Sequence, residues 1–205
     1  MLSENLRKMQ KTPAQLLKEF TDKSVHFSNE DFKIFYDHFQ LKAFAKKEYL
    51  LQQGEVCTFE GYVTNGCFRV FTLDANGKEH VLYFAVQDWW VTDLDSFTNQ
   101  IPSYLSIQAL ENSEVLLIEK QDKETLYDRF PKVEKLFRKM TQKTLVALQR
   151  RLIQNHSQTA EKRYVDFIAK YPQIAQKLTN LQLASYLGIS HEFLSKIRHK
   201  LAYKK

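Results

Sequence analysis

Apolar residues recur with two different periods along this chain, and the change of period divides it. Near the N-terminus the spacing is helical. Leu16, Leu17 and Phe20 form one cluster, and Phe32, Ile34, Phe35 and Phe39 form another behind a helix start at Ser28-Asn29-Glu30-Asp31. Residues 12–42 therefore read as helical. From about Phe44 the pattern shortens to apolar and aromatic runs separated by turn signals at Gln53-Gly54-Glu55, Asn65-Gly66 and Asp74-Ala75-Asn76-Gly77. The last is a strong hairpin signal, because Asn and Gly tolerate the positive φ of a tight turn. It predicts strands over Cys67–Leu73 and Glu79–Ala85. Two more strands, near Leu105–Ala109 and Val115–Glu119, follow a looser segment. Short strands at this spacing predict a small antiparallel barrel or sandwich.

Helical spacing then resumes. Asp122–Arg129 reads as one helix, and Pro131 suits the first turn of the next, which runs to about Asn155. Its apolar stripe is Val133, Leu136, Phe137, Met140, Leu145, Leu148 and Leu152, flanked by Lys135, Arg138, Lys139, Lys143, Arg150 and Arg151. About six turns exceed what one barrel face needs, so the stripe predicts pairing with a second copy of the chain. A further helix, about Ala160–Lys170, ends before Tyr171-Pro172, as the restriction on residues preceding proline requires.

The final stretch reads as two short helices broken at Gly188. Thr179 caps the first, whose Leu183, Ala184 and Leu187 share a face, and small Ala184 permits a close crossing. Gly188 suits the left-handed residue at a helix end, and Ser190 caps the second helix. There Leu194, Ile197 and Leu201 form the apolar stripe, and the opposite face carries His191, Glu192, Ser195, Lys196, Arg198 and His199. Such side chains bond to base edges and phosphates, and the pattern is that of a helix-turn-helix. An ordinary αα-hairpin with a solvated face has the same periodicity.

Charge separates these readings. The net charge is +6, but residues 131–205 carry 16 Lys/Arg against 4 Asp/Glu, a balance of +12, while residues 1–130 balance at −6. A basic half that coincides with the helix-turn-helix pattern is the footprint of a phosphate-binding module. It argues against a non-DNA protein-interaction role, since protein interfaces lose charge at their centres. Two cysteines, Cys57 and Cys67, are too few for a metal or iron–sulfur site, and spacing alone leaves a disulfide between them open. His80 is the lone histidine of the strand region, where a catalytic metal needs about three clustered ligands, and no G-x-S-x-G or phosphate loop occurs. We therefore expect no enzyme, no metal and no cofactor. No apolar run reaches membrane-span length, and Met1–Lys11 lacks the apolar region of a signal peptide, so a cytoplasmic protein is expected.

In its order of elements the chain resembles the Crp–Fnr family of bacterial transcription regulators. The most specific pieces are Val63-Thr-Asn-Gly-Cys-Phe-Arg69, Asp74-Ala-Asn-Gly-Lys-Glu79 and Leu183-Ala-Ser-Tyr-Leu-Gly-Ile-Ser-His-Glu-Phe-Leu-Ser-Lys196. The resemblance implies an α+β fold. An N-terminal antiparallel β-roll, cupin-like or cyclic-nucleotide-binding-like and flanked by helices, would occupy residues 1–130. A dimerisation helix would span 131–156 and a helical helix-turn-helix domain 157–205. It further implies a homodimer on double-stranded DNA, with His191, Glu192 and Lys196 at the base-reading positions, and leaves RNA polymerase open as a partner. His191 replaces an arginine common in the family. The β-hairpin wing that commonly follows is not found before Lys205, so phosphate contacts are expected from Lys204 and Lys205.

The same resemblance predicts an altered sensor. Where the family's cyclic-nucleotide binders carry Gly-Glu, Val91-Thr92 stands here, and the position of their phosphate-binding Arg-Ser pair falls on Ser103-Tyr104. The polar pair that reads adenine falls on Leu148 and Gln149. A buried phosphate without a cation is costly, so cyclic AMP binding is not expected. Tyr62, Tyr83, Trp89, Trp90 and Tyr104 either line an aromatic pocket for an apolar effector or fill the roll's core, and the sequence leaves both open. An occupied roll would act through a hinge near Asn155–Thr159. Constitutive DNA binding without an effector is the equal alternative, and the sequence leaves both open.

Overall fold

The computed structural model describes residues 11–202, so Lys204 and Lys205 lie outside the described residues. Helix α1 (Pro13–Asp22) opens on a reciprocal cap. The Thr12 hydroxyl accepts from the Gln15 N–H at 3.2 Å, and the Gln15 side chain accepts from the Thr12 N–H at 2.9 Å. Helix α2 (Asn29–Asp37) starts at Ser28, whose hydroxyl accepts from the Asp31 N–H. The helical reading to residue 42 is corrected here. Strand β1 (Gln40–Phe44) begins instead, because this segment pairs with a strand distant in sequence, from Gln40↔Leu117 to Phe44↔Ser113.

The roll continues with β2 (Tyr49–Leu51), β3 (Phe59–Asn65), β4 (Cys67–Leu73), β5 (Glu79–Val86), β6 (Trp90–Val91), helix α3 (Leu94–Asn99), β7 (Ser106–Ala109) and β8 (Ser113–Glu119). Its strands form two antiparallel four-stranded sheets, ordered β1-β8-β3-β6 and β2-β7-β4-β5. The hairpin expected at Asp74–Gly77 joins β4 to β5. The turn from β3 to β4 requires Gly66, since its φ is +91° and a Cβ there would lie 2.1 Å from Ser113 Oγ. The core between the sheets is apolar, with Val63, Phe68, Val70, Ile107 and Val115 fully buried.

Beyond the roll run α4 (Lys120–Arg129), α5 (Pro131–Ser157), α6 (Ala160–Lys170), α7 (Pro172–Lys177), α8 (Asn180–Leu187) and α9 (His191–Ala202). The stripe of α5 divides, which corrects its reading as one pairing surface. Val133, Leu136 and Phe137 are buried against the roll and the N-terminal helices, and Met140 packs at the edge of that cluster. From Thr141 to Arg150 every residue is exposed, and Leu145, Leu148 and Leu152 are 64%, 51% and 59% accessible.

The C-terminal helices share a core with the outer face of the second sheet. Cys67, Phe71, Val81 and Phe84 cluster with Phe167, Ile174, Leu183, Ala184 and Leu187. Polar contacts set the register of this docking. Ser185 Oγ accepts from the Val81 N–H at 2.9 Å and donates to the Glu79 carbonyl at 2.7 Å. Arg151 donates to the Tyr186 carbonyl at 3.0 Å and lies 4.2 Å from the Tyr186 ring. Each bond joins groups distant in sequence, so the link from α5 to α6 is spanned by packing on both sides. Among the described residues no helix is long and apolar enough to cross a membrane.

Candidate nucleic-acid interface and sensor roll

Helices α8 and α9 take their form from their caps. Thr179 accepts from the Gln182 N–H and Gln182 answers to the Thr179 N–H, a second reciprocal cap. Gly188 closes α8 at φ 67°, a left-handed conformation that glycine adopts without strain. The Ser190 hydroxyl then accepts from the Phe193 N–H at 3.1 Å, opening α9. Leu194 and Ile197 are buried in the crossing, and Leu201 is half-buried.

The opposite face of α9 is exposed along His191, Glu192, Ser195, Lys196, Arg198 and His199. Their side chains differ in availability. Thr179 and Ser190 are committed to capping. Arg198 folds back, donating to Asn180 and, at 3.2 Å, to the Tyr164 hydroxyl, which anchors α9 against α8 and α6. Ser195 Oγ donates to the His191 carbonyl at 3.1 Å. Lys196 makes no hydrogen bond or ion pair among the described residues. The Glu192 carboxyl is held below its ordinary range by its own backbone N–H and by the Ser190 hydroxyl, so it stays an acceptor at neutral pH. From His191 to Lys196 is about 7.5 Å along the axis, roughly two base-pair steps. Sequence reasoning missed one further exposed side chain here, Phe193, because an apolar residue beside Leu194 reads as core.

The aromatic residues proposed for an effector pocket are not gathered into one. Successive strand residues face opposite sides of a sheet, so Val63 points into the roll and Tyr62 out of it. Tyr62 packs beside Phe20 and Trp90, and its hydroxyl donates to Asp88 at 2.6 Å. Trp90 lies in the same outer cluster, against Phe39 and Phe137. Tyr104 is exposed, while Trp89 touches the roll's core and stacks edge-on with Tyr171. Leu148 and Gln149 lie on the exposed half of α5. Of the set, Tyr83, Trp89, Thr92 and Ser103 share a neighbourhood with the roll's interior.

That neighbourhood is closed by its own polar contacts. Thr92 Oγ1 donates to the Phe59 carbonyl at 2.9 Å, and the Tyr83 hydroxyl donates to the Thr92 carbonyl at 3.1 Å. Burial pushes the Tyr83 phenol up to about 12, so it remains a neutral donor. Ser103 Oγ donates to Asp93 Oδ2 at 2.5 Å, both side chains being buried, and Asp93 also caps α3. An Asp–Ser pair thus closes this end of the roll, and Thr92, Asp93, Ser96 and Ser103 bring no positive charge. Phe97 of α3 fills the adjoining core. Cys57 and Cys67 are both free and buried, and burial raises both thiols, Cys67 to about 12, which leaves them unreactive. Among the described residues no group of His, Cys, Asp and Glu is placed to hold a metal ion.

An antiparallel roll with a helix-bearing connection after β6, a long helix leaving it, and a terminal pair of short crossing helices define the architecture of the chain. The comparisons agree. Residues 41–130 match the cyclic nucleotide-binding domain family, and the fold of the chain is that of the Crp–Fnr transcription regulators. FixK2 from Bradyrhizobium japonicum is similar at TM-score 0.71 and 17% identity, over 81% of this chain and 85% of that one. The global regulator CLP from Xanthomonas campestris, described as responsive to c-di-GMP, is similar at 0.70 and 14%, over 84% and 90%. A protein from Eubacterium rectale assigned to the crp/fnr family of transcriptional regulators is similar at 0.69 and 16%, over 87% and 85%. No protein of curated function matches the sequence.

Proposed function

We propose that this protein is a dimeric, sequence-specific DNA-binding transcription regulator of the cytoplasm whose roll does not bind cyclic AMP. The observation that carries the reading is the exposed polar face of α9, set on a two-helix crossing in the most basic part of the chain. His191, Glu192 and Lys196 read bases. Glu192 accepts from a cytosine amino group and Lys196 donates to guanine. The exposed stripe Leu145, Leu148 and Leu152 pairs two copies so that two α9 helices enter successive major grooves. Residues 1–130 then form the roll unit, 131–156 the pairing helix and 157–205 the reading unit.

Replacing Lys196 with Ala tests the base-reading role. Affinity for a selected site is expected to fall by about 1–3 kcal/mol, while affinity for random DNA changes little. Electrophoretic mobility shifts at fixed salt measure both, and equal losses on the two DNAs would remove Lys196 from base recognition.

The cyclic AMP statement rests on the Asp93–Ser103 contact and the missing cation. A phosphate entering there would meet a carboxylate and hydroxyls, and a buried ion without its partner costs several kcal/mol. Titration calorimetry of the purified protein with cyclic AMP is expected to show no binding at micromolar affinity. A saturable heat in that range would refute it.

A further inference from the structure

Phe193 is the third residue of α9 and is 48% exposed. It belongs to none of the apolar clusters of the described residues and meets no other aromatic ring among them. Its neighbour Leu194 is fully buried, so the first turn of α9 holds one apolar side chain that the fold covers and one that it leaves half-exposed. Phe193 gives no local benefit that would explain it, since phenylalanine is a poorer helix former than many polar residues. Its surroundings are those of the reading face. Glu192 precedes it, and Lys196 follows at the i+3 spacing that places two side chains side by side on a helix. The N-terminal residues of a recognition helix are the ones that reach base edges. In the major groove one base edge is apolar, the C5-methyl of thymine, and a phenyl ring is a suitable partner for it.

We propose that Phe193 is a specificity-determining residue that packs on a thymine methyl group in each half-site, beside the base pair read by Lys196. This rests on the DNA-reading function proposed above. It adds a discrimination that polar contacts do not supply. Adenine, guanine and cytosine present no methyl at that position, and the phenyl ring leaves polar groups of a wrong base without a hydrogen bond.

The test uses the full-length chain and a site selected from random double-stranded DNA. Each thymine of the half-site is replaced in turn by uracil, which removes the methyl and keeps every hydrogen-bonding group. At one position per half-site, uracil is expected to weaken binding about fourfold, the loss of about 0.8 kcal/mol for one apolar carbon group returned to water. Phe193→Ala is expected to weaken binding to the thymine site and to abolish the difference between thymine and uracil there. Since Phe193 is half-exposed and Ala favours helix, this variant keeps the fold, which circular dichroism checks. Uracil without effect at every position overturns the proposal, as does a thymine preference that survives Phe193→Ala. In both outcomes the Lys196→Ala result still judges the DNA-reading function separately. If no site is selected at all, both fail together.

Discussion

Leu148→Glu is expected to turn a dimer into a monomer. Leu145, Leu148 and Leu152 lie along α5 beyond the part that the roll covers, with more than half of each side chain exposed in the single chain. Burying one leucine stabilises by about 1.5–3 kcal/mol, and a two-fold interface contains each position twice. The substitution therefore removes roughly 3–6 kcal/mol of association before the cost of placing two carboxylates face to face, so the dimer constant falls by a factor of about 10² to 10⁴. The fold of each chain is expected to stay intact, because Leu148 is exposed and belongs to none of the apolar clusters of the described residues. Sedimentation equilibrium reads the change directly. An unchanged dimer would move the interface elsewhere, and a monomeric wild-type protein would remove it.

Lys123→Ala is expected to produce the largest loss of stability. Lys123 on α4 and Glu60 on β3 form an ion pair at 2.8 Å, with side chains 9% and 10% exposed, although that Glu60 oxygen has no well-directed hydrogen bond. The ammonium also lies 4.4 Å from the Phe137 ring centroid and 5.0 Å from that of Phe97, so one cation joins α3, α4, α5 and β3. Removing it leaves a buried carboxylate uncompensated, at a cost of about 3–5 kcal/mol. Replacing both partners, Lys123→Met with Glu60→Leu, is expected to recover most of the loss, since apolar side chains of similar size do not need each other's charge. Urea unfolding followed by circular dichroism compares the three proteins. A single variant within about 1 kcal/mol of wild type would show that Glu60 finds another partner.

These two sites also mark where the sequence was legible. The α8–α9 pair could be read because its signals are local: Thr179, Gly188 and Ser190 each act on residues within four positions. The β4–β5 hairpin was legible for the same reason. Strand β1 was not, because its partner lies in β8 and its own residues carry no clear alternation. The stripe of α5 has one period throughout, and periodicity does not separate a face turned to its own roll, at Val133, Leu136 and Phe137, from one left open at Leu145 and beyond. The sides to which the aromatic residues turn were not legible, because composition says what a strand carries and only register says to which side, as Tyr62 and Val63 show. The Asp93–Ser103 contact bridges the two ends of the segment that carries α3, a pairing that only coordinates reveal.

The central claim is that the exposed face of α9 reads DNA as one of a pair. Footprinting of the full-length protein on DNA selected from a random pool, repeated over a range of salt, tests it most directly. Two inverted half-sites about 34 Å apart, centre to centre, are expected, with an affinity that falls steeply with salt as phosphate counterions are released. Failure to protect any sequence at moderate salt, or protection of a single half-site that Lys196→Ala leaves unchanged, would contradict it.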